Sequence, residues 1–369
     1  MELSQLQQIV CQFAITGSVD EILPLGDGLI NDTYLVKTSE DDQPDYVLQR
    51  INHKVFPDVD MVMRNISIVT SHIREKLTSL GEVDLRHKVL EFVPLTEDAE
   101  KLYTVVDGNY WRLMIFIDHA ITKQEVNAES SRAAGEAFGH FQAMLADVPY
   151  ELGETIKDFH NMEFRIEQLK EACIEDRAGR FDEPAVQELL EELGKRAEKM
   201  TEAERLGREG KLPKRICHCD TKVNNMMFSE DGKEVLCVID LDTVMPSFIF
   251  SDYGDFLRTA ANTVAEDEAD FSKIEFRQDI FEAFTEGYLS SARDFLTPLE
   301  VKMLPYAVEL FPYMQSVRFL WDYINGDNYW KVKYPTHNLV RAQNQFELVK
   351  RIESALLEII AFIEKLRKG

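Results

Sequence analysis

The sequence predicts an α+β fold in two lobes: a small, mostly antiparallel sheet with one long helix over residues 1–117, and a larger, mostly helical lobe over residues 118–369. Three observations carry this. A chain of 369 residues exceeds the usual single core. Short β-branched and aromatic runs, separated by glycine-containing turns, crowd its first third. From Ser130 onward, apolar residues recur at helical rather than alternating spacing.

In the first lobe, Leu6, Ile9, Val10 and Phe13 fall on one helical face, which predicts a short packing helix. Ile22 to Leu25 lead into Gly26-Asp27-Gly28, and Thr33 to Lys37 resume as a strand, so the pattern is strand, glycine turn, strand. Tyr46 to Ile51 (YVLQRI) is a third strand, and Met61 to Leu80 an amphipathic helix. Val89 to Leu95, Lys101 to Val106 and Tyr110 to Ile117 read as further strands, the last two joined by an aspartate-glycine turn. Phe116 to His119 then connects the lobes.

In the second lobe, Ser130 to Leu145 places Phe138, Phe141, Met144 and Leu145 on one face. Gly135 and Gly139, four apart, permit close contact with another helix. Phe164 to Asp176 and the charged run Glu183 to Glu209 continue as helices. Ile216 to Asp242 breaks the pattern. A polar run with Asp220, Lys222, Asn224 and Asn225 precedes Met226-Met227-Phe228, a turn at Glu230-Asp231-Gly232-Lys233, and a strand Val235 to Ile239 that ends at Asp240 and Asp242. Asp252, Asp255 and Arg258 follow at three-residue steps, where an acidic residue either holds the preceding loop or caps a helix. Helices are expected over Phe276 to Phe295, Pro298 to Ile324 and Val340 to Leu366, interrupted by an aromatic and polar loop from Gly326 to Arg341 that suits a stacked polar ligand.

Sixty-six acidic against 41 basic residues give a formal charge of −25, which argues against a nucleic-acid partner. No apolar run reaches membrane-spanning length, so no membrane partner is expected, and the N-terminus lacks a basic start and long apolar stretch. A cytoplasmic protein is the expectation. Five cysteines without framework spacing read as free thiols. Zinc at Cys217-His218-Cys219 is disfavoured, because neighbours on a strand point to opposite faces and no C-x-x-C pair completes the ligand set. Oligomeric state leaves no mark on the sequence.

The chemistry is concentrated between Ile216 and Asp242. Phosphoryl transfer to a hydroxyl needs a carboxylate to orient and deprotonate the acceptor, and oxygen ligands to hold Mg²⁺ against the phosphates of ATP. Asp220 followed five residues later by Asn225 has the D-x-x-x-x-N spacing of a kinase catalytic loop, with His218 before it and Lys222 after it. Asp240 stands where the kinase metal-binding aspartate would stand, and Asp242 follows on the same strand end. The bland alternative, a surface hairpin with solvated carboxylates, leaves this conjunction as coincidence. By the same logic Gly26, Asp27, Gly28, Asn31 and Thr33 are candidates for covering the phosphates, and Phe116 and Ile117 for meeting adenine. Where kinases carry a phosphate-gripping lysine, the third strand has Gln49 and Arg50; Arg64 on the following helix is the candidate for the compensating cation.

These residues resemble the aminoglycoside-phosphotransferase-like superfamily of small-molecule kinases and, more closely, the N-acetylhexosamine 1-kinases. The resemblance runs along nearly the whole chain, through GDGLINDTYLV, YVLQRIN, VMRNISIVT, WRLMIFIDH, HCDTKVNNMMF, VIDLDTVMPS, DYGDFLRT and RFLWDYINGDNYWKVKYPTHNLVR. It implies a bilobal protein-kinase-like fold and ATP-dependent phosphorylation of the anomeric hydroxyl of a hexosamine. It implies that Asp220 orients that hydroxyl while Mg²⁺ and the catalytic Lys222 stabilise the phosphates, that Asn225 and Asp240 bind Mg²⁺ with help from Asp242, and that Arg318, Asp322 and Tyr329 lie at the sugar. Leu29 stands where the resemblance leads one to expect a histidine facing the sugar. Other acceptors within the superfamily (choline, homoserine, methylthioribose, an aminoglycoside) and a nucleotide-binding pseudokinase are the alternatives.

Overall fold

The structure is a computed structural model that describes residues 3–26 and 31–368. It divides into two compact units, and the division is not at one point of the chain. The first unit comprises Met1–Thr122, Asp147–Lys157 and Met226–Met245, and the second Lys123–Ala146, Asp158–Asn225 and Pro246–Gly369. The architecture is α+β, with a five-stranded sheet in the N-terminal region and a helical C-terminal part.

In the first unit, strands β1 (Val19–Pro24), β2 (Asp32–Thr38), β3 (Tyr46–Ile51), β4 (Thr104–Val106) and β5 (Asn109–Ile115) form an antiparallel sheet in the order β1-β2-β3-β5-β4. Helix α1 (Leu3–Val10) buries Leu6, Ile9 and Val10 in one cluster with Val36, Leu48, Trp111 and Leu113 of that sheet. Each such side chain contributes about 1.5–3 kcal/mol when fully buried. Helix α2 (Val59–Ser79) starts where the Asp58 carboxylate caps the Met61 amide at 2.9 Å, and it buries Val62, Met63, Ile66, Val69 and Ile73 at helical spacing. The strand expected over Val89 to Leu95 is instead an extended segment held to β5 by Val93 N to Leu113 O at 2.8 Å and Ile115 N to Glu91 O at 2.9 Å. A second sheet joins β6 (Ala120–Ile121), β8 (Met226–Ser229) and β9 (Val235–Val238), with β7 (Arg215–Cys217) preceding it in the chain. The expected hairpin is present, Met226 facing Val238 and Met227 facing Cys237.

The second unit is mostly helical. The helices Ala128–Met144 and Gln278–Ala292 pack backbone to backbone: a Cβ on Gly135 would lie 2.1 Å from the Phe284 carbonyl oxygen, and one on Gly139 2.6 Å from that of Tyr288. The four-residue glycine spacing is therefore a packing device. The charged run read as one helix is three, Pro184–Gly194, Ala197–Met200 and Glu202–Arg208. The break lets Arg196 form a paired contact with Glu353 at 2.7 and 2.8 Å, a long-range partner no local pattern reveals. The helix expected from Pro298 is broken at Met303, because Pro305 has no amide hydrogen to continue the ladder. Among the described residues, no helix is long and apolar enough to cross a membrane.

Candidate active site

The loop between β7 and β8 is a short, tightly held segment of the second unit. Asp252, fully buried in the helix Phe250–Ala260, accepts the backbone amides of His218 at 3.0 Å and Cys219 at 2.8 Å, and the side-chain amide of Gln142 at 2.7 Å. Three residues on, Asp255 accepts the Thr221 amide at 3.1 Å, while the Thr221 hydroxyl donates to the Asp252 carbonyl at 2.7 Å. The helix has no side-chain cap, so of the two roles open to its acidic residues, holding the loop is the one observed. Burial raises the Asp252 carboxyl, and the hydrogen bonds from the two loop amides and Gln142 work against that. Cys219 adopts a left-handed φ of 65°, which turns the chain and leaves Asp220 half-buried.

Asp220 is fixed from both sides. Lys222 Nζ lies 3.0 Å from its Oδ1, and Asn225 Nδ2 donates to its carbonyl at 2.8 Å and to its Oδ2 at 3.2 Å. Burial disfavours the Lys222 ammonium, but the neighbouring carboxylates of Asp220 and Asp255 hold it above the ordinary lysine range. Three predicted residues thus form one constellation: a carboxylate, a cation beside it, and an asparagine whose nitrogen engages the carboxylate and turns its amide oxygen elsewhere.

Arg318 and Tyr329 also lie in the second unit. The Arg318 guanidinium packs 5.1 Å from the Phe159 ring centre and 5.2 Å from that of Trp330 and donates to Gln315 at 3.2 Å. Tyr329 is exposed at 53%, its ring edge-on to Trp330 at 4.6 Å. Sequence reasoning missed two neighbours. Arg165 donates twice to the Phe159 carbonyl, at 3.1 and 2.7 Å, and burial together with the Arg318 charge lowers its pKa to about 9. His160 stacks on Phe159 at 4.3 Å and is held well below the usual histidine range by burial, then by Arg318 and Arg165, against the pull of Asp220. Among the described residues, neither Arg165 nor Arg318 is within ion-pair distance of a carboxylate. Asp322, expected at the sugar, is engaged by the protein's own donors. Its Oδ1 accepts the amides of Asn328 and Tyr329 at 2.9 and 2.8 Å, and its Oδ2 accepts the Trp330 amide at 3.0 Å and Asn338 Nδ2 at 2.9 Å. With four donors on a fully buried carboxylate, it shapes the loop that carries Tyr329.

In the first unit, Asp240 is exposed, with a left-handed φ of 58° where β9 ends. Asp242 is buried. Its Oδ1 accepts Arg112 NH1 at 2.5 Å and its Oδ2 accepts Asn31 Nδ2 at 2.8 Å, so this carboxylate is engaged by protein donors rather than presented outward. Gln49 accepts Arg112 Nε and NH2 through one oxygen, at 3.0 and 2.7 Å, and donates to the Thr33 hydroxyl at 3.1 Å. The cation beside Gln49 is therefore Arg112; Arg64 is on the exposed side of α2, and Arg50 pairs with Asp32. A lone arginine in the apolar run YWRLMIFI was the signal for it. The Phe116 amide donates to the Asp45 carbonyl at 2.8 Å, so it is not a free donor for adenine; its carbonyl accepts Arg86 at 3.4 Å, and Ile117 is buried. Gly26 has a φ of 68° and, among the described residues, nothing within 4 Å of its Cβ position, whereas Asp27, Gly28 and Leu29 lie outside the described residues.

A profile of the phosphotransferase enzyme family matches residues 21–295. The chain belongs to that family. Among solved structures, it is similar to an aminoglycoside phosphotransferase from Alicyclobacillus acidocaldarius, at 13% identity over 97% of this chain and 96% of that one, with a TM-score of 0.64. A microcompartment-associated aminopropanol kinase matches at 15% identity over 97% and 99% of the two chains, with a TM-score of 0.58. An amicoumacin kinase in complex with AMP-PNP, Ca²⁺ and Ami matches at 14% identity over 95% and 94%, with a TM-score of 0.57. At these identities the likeness shows the fold alone. The family match, residues 21–295, spans the loop of Asp220 and the strand end of Asp240.

Proposed function

We propose that the protein is an ATP-dependent, Mg²⁺-requiring kinase that phosphorylates the anomeric hydroxyl of an N-acetylhexosamine. The observation that carries the acceptor class is the charge around His160. Arg318 packs on the Phe159 ring that stacks on His160, Arg165 donates to the Phe159 carbonyl, and among the described residues neither guanidinium has a carboxylate within ion-pair distance, whereas Arg258 is paired with Asp255 and Glu266. A cationic acceptor such as choline or an aminoglycoside meets repulsion there, whereas an uncharged sugar rich in hydroxyl and amide oxygens supplies acceptors for guanidinium donors. The strings shared with N-acetylhexosamine 1-kinases support the same class.

Within this reading, Asp220 accepts the proton of the anomeric hydroxyl, which is more acidic than an ordinary alcohol because the ring oxygen withdraws electron density. Lys222 and Asn225 hold that carboxylate in one orientation. Arg318 and Tyr329 bind the sugar, and Asp322 holds the loop that presents Tyr329. Among the described residues, no three His, Cys, Asp or Glu side chains are grouped to hold a metal. The donor chemistry nonetheless fits Mg²⁺, which takes one or two protein oxygens and completes its shell with phosphates and water. Asp240 would hold it, with Asn225 assigned as a ligand by its spacing from Asp220 alone; when bound, the ion offsets charge on the phosphates. Within the same reading Gly26, Asn31 and Thr33 contact the phosphates, and Phe116 and Ile117 meet adenine.

The test is ADP release with Mg-ATP against N-acetylglucosamine, N-acetylgalactosamine, their parent sugars, their methyl glycosides, choline and homoserine. Turnover is expected only with reducing hexosamines, and Asp220→Asn is expected to bind nucleotide while losing at least about 100-fold in kcat. Turnover with choline, or with the methyl glycosides, refutes the acceptor assignment.

A further inference from the structure

The first unit holds a ring of polar contacts that the proposed reaction does not by itself require. Strand register sets Thr33 opposite Gln49 and Gln49 opposite Arg112, so these three side chains form one row across β2, β3 and β5. Gln49 donates to Thr33 at 3.1 Å and accepts two bonds from Arg112, whose NH1 reaches Asp242 at 2.5 Å. The ring returns through Asn31, which donates to Asp242 at 2.8 Å and accepts the Asn52 amide at 3.0 Å. Arg112 and Asp242 are almost wholly buried, with side chains 2% and 3% exposed. A cation engaged at Nε, NH1 and NH2 by protein acceptors is not poised to grip a phosphate.

We propose that Arg112 is a positioning residue for the metal-binding strand end, replacing the usual β3 lysine by a relay rather than by a direct phosphate contact. The inference rests on the kinase reading above. The Asp242 carboxylate is anchored at both oxygens, two residues after Asp240 enters its left-handed turn. Fixing Asp242 fixes the backbone that aims Asp240. The same ring joins that turn to Asn31 and Thr33, at the start of β2. Gln49 is neutral because its work is to accept two bonds from the Arg112 guanidinium; a lysine in its place beside Arg112 would put two cations together.

The test is the affinity of the full-length protein for ADP, by calorimetry, with Mg²⁺ and with EDTA. In the wild type, Mg²⁺ is expected to strengthen ADP binding. Arg112→Met is expected to lose at least about tenfold of that metal-dependent gain while metal-free affinity stays within about threefold, as for a residue that does not touch the phosphates. Gln49→Lys combined with Arg112→Met returns one cation to the same row and is expected to recover part of the gain. An unchanged metal-dependent gain in Arg112→Met overturns the proposal, and so does a large loss of metal-free affinity, which marks a direct phosphate contact. Should Arg112→Met fail to fold, Asn31→Ala decides: a reduced gain with metal-free affinity within about threefold of wild type supports the relay, and a wild-type gain, or a large loss of metal-free affinity, overturns it. No ADP binding by the wild type under either condition defeats the kinase reading itself, an outcome distinct from all of these.

Discussion

Replacing Asp252 with asparagine changes a single atom of the carboxylate yet removes an acceptor from the centre of the loop that carries Asp220. In the native site Oδ2 takes His218 N at 3.0 Å and Gln142 Nε2 at 2.7 Å, and Oδ1 takes Cys219 N at 2.8 Å. An asparagine offers one oxygen and one NH₂, so at least one buried amide faces another donor. Flipping Gln142 does not help, because whichever way the asparagine is turned, the backbone amide of either His218 or Cys219 meets its NH₂. Each buried donor left unmet costs about 1–3 kcal/mol, which gives a loss of about 2–4 kcal/mol once donor–donor repulsion is included. Urea denaturation followed by tryptophan fluorescence in a Trp111→Phe background, which leaves Trp321 and Trp330 of the second unit as reporters, measures this. Because the same bonds hold the Asp220 loop, kcat is expected to fall about tenfold or more with little change in the KM for ATP. A stability change below about 0.5 kcal/mol together with wild-type kcat refutes the claim that Asp252 holds the loop.

Two further predictions rest on buried carboxylates. Asp322→Asn leaves two of four donors on the Asn328–Trp330 loop and Asn338 without an acceptor, so a loss of about 2–4 kcal/mol and a raised KM for the sugar are expected; a sugar KM within twofold of wild type argues that the loop is not held from Asp322. Glu204 accepts the Met162 amide at 2.8 Å, and burial lifts its pKa to about 7 from an ordinary 4.5. The folded chain therefore retains a proton that the unfolded chain releases, so this group's stabilisation is fully present below about 4.5 and lost as pH rises through about 7. Glu204→Gln is expected to raise stability at pH 8 by about 1–3 kcal/mol and to flatten that part of the Tm–pH profile; an unchanged slope contradicts the raised pKa.

Much of the fold was legible because its signals are local. Helical spacing located α2 and the helices of the second unit to within a few residues. The element boundaries that shifted did so where tertiary contacts took over, as at Arg196 with Glu353 and along Val89 to Leu95. The candidate site was legible in the same uneven way. Asp220, Lys222 and Asn225 share one short loop, and they meet in the structure. Arg165 and His160 carried no pattern of their own, because their role comes from the rings and charges packed around them.

By itself the sequence determined the loop of Asp220 and the hairpin behind it, since a five-residue spacing and a glycine turn are fixed by the backbone preferences of a few adjacent residues. Only the tertiary structure decided which groups those carboxylates and Gln49 meet. Gln49 and Arg112 are 63 residues apart, and they touch because β5 pairs with β3 in one particular register. A register shifted by one residue would turn Arg112 to the other face of the sheet. Asp322 likewise reads as one more carboxylate near a sugar motif until the loop folds back and presents its amides. Periodicity and turns are short-range properties of the chain, whereas the partner of a buried charge is set by strand order, register and burial.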